Sequence, residues 1–180
     1  MIYFLSYGAC VFVLIVIHEC GHYLAGRLGG IATSDMRIRL FRFPQHVVLR
    51  DQERWVSPVT DSDTYVTLVW HYLRTRGRVF RYVAGGLVLE TIATSVAATS
   101  CILAGYPKMA LAIIAMSWCL LLPWLILDGI MIARGRIFGD LSGLWQLAAA
   151  PTALLIILMI AIRVALMAWA GWTPIFGSWR

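Results

Sequence analysis

Four long stretches of the chain are apolar at nearly every position, and the charged positions collect between them. About 20 apolar residues cross the hydrocarbon layer as a helix, so the pattern predicts spans at about 2–26, 79–104, 109–133 and 144–170. The loop of about 27–78 has a pattern of its own. Met36-Arg37-Ile38-Arg39-Leu40 alternates, and His46-Val47-Val48-Leu49 follows a break at Phe43-Pro44-Gln45, which predicts a small β-hairpin. The run Tyr65-Val66-Thr67-Leu68-Val69-Trp70 fits either a strand or a segment lying at the membrane surface. The expected fold is an all-α polytopic membrane protein, a single domain over residues 1–180 with about four transmembrane helices and a hairpin in the first loop.

Composition agrees with that class. Hydrophobic residues make up 61% and charged residues 13%, with a mean hydropathy of +0.79, well above soluble chains. The first apolar run starts at Met1 without a basic lead and without a small-residue cleavage site, so it reads as a retained span. Of the fifteen Lys and Arg, ten lie between Arg27 and Arg81, and Arg134 and Arg136 lie between spans three and four. By the positive-inside rule these two loops face the cytoplasm and both termini face the other side. The net charge of +6 therefore points to lipid headgroups and not to nucleic acid, because the arginines flank apolar segments. Cys10, Cys20, Cys101 and Cys119 all sit in apolar segments without paired spacing, as small hydrophobes.

Candidate chemistry starts at His18-Glu19-Cys20-Gly21-His22. On a helix, His18 and His22 stack on one face and present two imidazoles to one metal ion, the geometry zinc uses. Glu19 lies about 100° around the same turn, placed to hold a water, while Cys20 points away. Catalytic zinc takes three protein ligands, and Asp128 is the leading third. By helix rise it lies roughly 8 Å from the cytoplasmic end of its span, against roughly 12 and 6 Å for His18 and His22. Glu90 comes out at a similar depth, where it orients a ligand, binds substrate backbone, or is protonated and hydrogen-bonded to a neighbouring helix. Arg163, near the far end of span four, is expected to snorkel to headgroups.

With these residues in order, the chain resembles the site-2 protease family of intramembrane zinc metalloproteases. That family's first core helix carries His-Glu-x-x-His, here His18 to His22, and its third carries Asp-Gly after Asn-x-x-Pro, here Leu120-Leu121-Leu122-Pro123 leading to Asp128-Gly129. The resemblance covers roughly residues 2–133. It implies zinc bound by His18, His22 and Asp128, with Glu19 as catalytic base, and places Gly86, Pro123 and Gly129 near ligands or substrate. Two positions depart from the pattern: Leu120 replaces the asparagine, and Gly86-Leu87-Val88-Leu89-Glu90 replaces Gly-Pro-x-x-Asn. No segment has the length of an added PDZ or CBS domain. The expected activity is a zinc-dependent endopeptidase cutting in or near transmembrane segments of membrane protein substrates, in the cytoplasmic membrane of a prokaryote with the site near the cytoplasmic face. The alternatives are a zinc-binding protein that holds substrates without cutting them, and an ion or proton transporter. The sequence leaves the oligomeric state open.

Overall fold

The computed structural model describes residues 2–176, with the side chains of residues 8–171. The elements run α1 (Ile2–Gly29), a 3-10 turn, β1 (Met36–Arg39), β2 (His46–Asp51), β3 (Arg54–Val56), α2 (Ser62–Leu73), α3 (Arg76–Leu103), α4 (Pro107–Ala133), α5 (Asp140–Leu147) and α6 (Ala149–Phe176). Four helices, over Gly8–Gly29, Arg76–Leu103, Pro107–Ala133 and Ala149–Gly171, are long and apolar enough to span a membrane. This is an all-α multi-pass membrane protein carrying one small sheet. Its four cysteines are free.

Span four begins later than the predicted 144, because a separate short helix precedes it. Ala148 is extended between α5 and α6, and Pro151 sits in the first turn of α6, where a missing N–H costs nothing. The turn from α3 to α4 uses Gly105 at φ 81°, a left-handed position that glycine takes without strain.

The chain divides into two compact units, Ile15–Glu90 and Met1–Leu14 with Thr91–Arg180. In the first, the predicted hairpin is present and larger than expected: β1, β2 and β3 form an antiparallel sheet in that order. Met36 pairs with Leu49 and Leu49 with Val56, and all three side chains are buried, so one face of the sheet is a core face. On the other, the Arg37 guanidinium lies 4.0 Å from the Trp55 ring centroid. The run Tyr65–Trp70 is helical, inside α2, which settles the strand-or-interface choice against a strand. Asp61 caps it by accepting from the Thr64 N–H, and Leu68, Val69 and Leu73 are buried along one side. This burial outweighs the β propensity of Val66, Thr67 and Val69.

α2 is tied to the sheet by the Tyr72 hydroxyl, which donates to the Arg50 carbonyl at 2.7 Å. Burial first, then Asp35 and Asp51, push the Tyr72 hydroxyl above the ordinary tyrosine range, against a smaller pull from Arg50. Because the folded value is the raised one, this contribution to stability is whole below the unfolded value of about 10 and is lost as pH rises through the folded value. Thermal unfolding across that alkaline range is expected to show a declining limb that Tyr72→Phe flattens.

In the second unit the helices are apolar all round, and burial, not periodicity, marks their inner faces. On α4 these are Ala110, Ile114, Ser117, Leu121 and Asp128, spaced at three, four and seven residues. Ala98, Ala110 and Ala170 have no exposed surface, the small-residue contacts that let membrane helices approach closely. Arg163 corrects the sequence reading. It does not snorkel: it is fully buried, donating from Nε to Ser117 Oγ at 2.9 Å and from Nη1 to Thr91 Oγ1 at 3.2 Å and the Met159 carbonyl at 3.1 Å.

Candidate metal centre

His18, Glu19 and His22 are all buried on α1. A ring nitrogen from each histidine and a carboxylate oxygen of Glu19 lie within 4.8 Å of one another, a group that could hold a metal ion. Cys20 is outside it. The His18 and His22 rings meet edge to face with centroids 4.8 Å apart, and their Nε2 atoms are 3.0 Å apart. The Nδ1 of His22 lies 2.9 Å from the Tyr82 carbonyl. A carbonyl only accepts, so Nδ1 carries the proton and, in the neutral ring, Nε2 keeps its lone pair for a ligand.

α3 supplies the other wall. A Cβ built on Gly86 would come 2.5 Å from His22 Nε2 and 2.6 Å from His18 Nε2, so both rings pack against α3 at a closeness that only the absence of a side chain at residue 86 permits. One built on Gly21 would overlap the Gly85 carbonyl oxygen. Glycines on both helices therefore permit the approach that brings Gly86 over the histidines. α1 and α3 run antiparallel here, since Gly21 faces Gly85 and Gly86 while Gly26 faces Tyr82. The donor set, two imidazoles at i and i+4 with an adjacent carboxylate, fits zinc.

Glu90 is buried and lies four residues beyond Gly86, hence on the same face of α3 and about 6 Å along it. The antiparallel register carries it toward the level of His18. Asp128 is buried in α4, and its carboxylate is firmly held. Oδ1 accepts from the Gly139 N–H at 2.8 Å and the Ser142 hydroxyl at 2.7 Å, and Oδ2 from the Leu141 N–H at 3.0 Å. It thus caps α5, whose N-cap residue, Gly139, has no side chain to do so. A carboxylate offers about four lone-pair sites, so Oδ2 keeps capacity for one more partner.

Pro123 lies inside α4, which continues through it from Pro107 to Ala133. A Cβ on Gly129 would meet nothing within 4 Å, so packing does not require glycine there. Sequence reasoning missed Tyr82, Gly85, Gly139 and Ser142. The Tyr82 contact is made by a backbone carbonyl, which any residue could supply, so no sequence signal existed. Ser142 lies three residues after a glycine and not after a capping Ser or Thr, so the sequence carried no capping-box signal for it either. No family model, curated protein or solved structure matches the chain.

Proposed function

We propose that this protein is a zinc-dependent intramembrane endopeptidase, cutting peptide bonds in or near the transmembrane segments of membrane proteins. One observation carries the reading: two buried histidine Nε2 atoms stand 3.0 Å apart, with a buried Glu19 carboxylate in the same group of possible metal ligands. His18 and His22 are the proposed ligands, and the resemblance adds Asp128 as the third. Zinc, when bound, supplies Lewis acidity that makes water nucleophilic at neutral pH and polarises a carbonyl. Glu19 takes the proton of the attacking water and returns it to the leaving amine. Burial of the three side chains keeps bulk water away. β1 lies at an edge of its sheet, and an extended substrate adding to that edge would have its backbone hydrogen bonds exchanged for intermolecular ones. The arginine distribution supports a cytoplasmic position for the sheet and α2. Glu19 favours an enzyme over a zinc-holding protein, because a binder has no need of a base beside the metal.

The test uses purified wild type, Glu19→Gln and Asp128→Ala, with bound zinc measured alongside cleavage of model single-span substrates. Glu19→Gln is expected to keep its zinc and to cleave at least about a hundredfold more slowly. Asp128→Ala is expected to lose zinc. A wild type without zinc overturns the metal reading, undiminished cleavage by Glu19→Gln overturns the mechanism, and full zinc in Asp128→Ala removes the third ligand.

A further inference from the structure

α2 turns one side to the core and leaves an apolar stripe outside. Val66 and Trp70, four residues apart, are 44% and 40% exposed, while Leu68, Val69 and Leu73 are buried. The chain then turns through Arg74 at φ 61° and enters α3, with Arg74, Arg78 and Arg81 all exposed. No acidic residue occurs between Asp63 and Glu90. Arg78 donates to the Gly29 carbonyl and Arg81 to the Gly77 carbonyl, contacts that neutralise no charge.

We infer that the outer side of α2 and the entrance of α3 form a binding surface for the anionic phospholipid headgroups of the bilayer the chain spans. Three observations select this occupant. α3 is itself a 28-residue membrane span starting at Arg76, so the side chains of its first turns lie where hydrocarbon gives way to phosphate. Their charge is opposite to that of the phosphates, and guanidinium pairs with phosphate bidentately. Trp70, with an apolar body and one N–H, is the residue type that settles at this boundary. Zwitterionic lipid would satisfy Trp70 and Val66 but would leave the arginine charge unmatched.

The test is reconstitution of the full chain into nanodiscs of mixed phosphatidylcholine and phosphatidylglycerol, measuring which lipid is enriched around the protein. Wild type is compared with Arg74→Gln/Arg78→Gln/Arg81→Gln and with a charge-matched control on the sheet, Arg37→Gln/Arg50→Gln/Arg54→Gln. The α3 variant is expected to weaken phosphatidylglycerol retention by about fivefold per charge removed, and the control to retain it as wild type does. Unchanged enrichment in the α3 variant overturns the proposal, and so does an equal loss in the control, which would reflect net charge alone. If the α3 variant does not fold, brominated lipids decide with wild type and Trp70→Phe. The Trp70 share of the quenching must be greater with brominated phosphatidylglycerol than with brominated phosphatidylcholine. Equal quenching by the two, or none, assigns the surface to zwitterionic lipid or to another protein and overturns the proposal.

Discussion

Alanine at Gly86 is expected to abolish metal binding in a protein whose proposed ligands are all intact. The added Cβ would stand 2.5 Å from His22 Nε2 and 2.6 Å from His18 Nε2, closer than nonbonded atoms approach, so the rings must swing away from their present positions. His22 resists that movement through its Nδ1 bond to the Tyr82 carbonyl. Any rotation that relieves the clash breaks this bond or separates the Nε2 pair. Losing a single orienting contact typically costs ten- to a hundredfold in metal affinity, and here two ligands are displaced together, so the loss should exceed about a hundredfold. Zinc content after dialysis reads the effect directly, with helical content by circular dichroism as the check on folding. Zinc retained at wild-type affinity by a folded Gly86→Ala protein would place the metal elsewhere.

Removal of the Arg163 side chain is the second large effect, and it falls on stability. The guanidinium is fully buried and joins α6 to Ser117 of α4 and Thr91 of α3. Arg163→Ala deletes these bonds, leaves polar atoms without the donor they accept from, and opens a cavity. The loss should be about 3–5 kcal/mol. Arg163→Met separates packing from charge. It fills much of the same volume and removes the cost of burying a cation, so it should recover a substantial part of that loss. Arg163→Lys keeps the charge without the planar fork that reaches two hydroxyls and a carbonyl at once, so it should remain destabilised. Thermal unfolding in one detergent ranks the three. Alanine as stable as wild type would mean that the buried network contributes nothing net.

These two residues also mark where sequence reasoning reached its limit. His18, Glu19 and His22 were legible because helix periodicity alone puts residues four apart on one face, and the structure brings the three together. Gly86 could be picked out only by resemblance, because its part is to be small opposite α1, and what lies opposite is a matter of packing. Arg163 was misread for a related reason. In a helix apolar on every side, periodicity does not say which face meets protein and which meets lipid, so a cation in it looks equally ready to snorkel or to be enclosed. The Ser117 and Thr91 hydroxyls that enclose it are 46 and 72 residues away in sequence.

What the sequence by itself determined is local: four runs long enough to span a bilayer, the β1–β2 alternation, and the spacing of two histidines and a glutamate. Each follows from an interaction whose range is a helical turn or a strand pair. The tertiary structure decided the rest. It made Tyr65–Trp70 a helix because Leu68, Val69 and Leu73 have a core to enter, and it separated α5 from α6 and placed the Asp128 carboxylate at the start of α5. It also set a side-chain-free position of α3 before both histidine nitrogens. Those outcomes depend on which surfaces meet across dozens of residues, and burial energies act between surfaces, not along the chain.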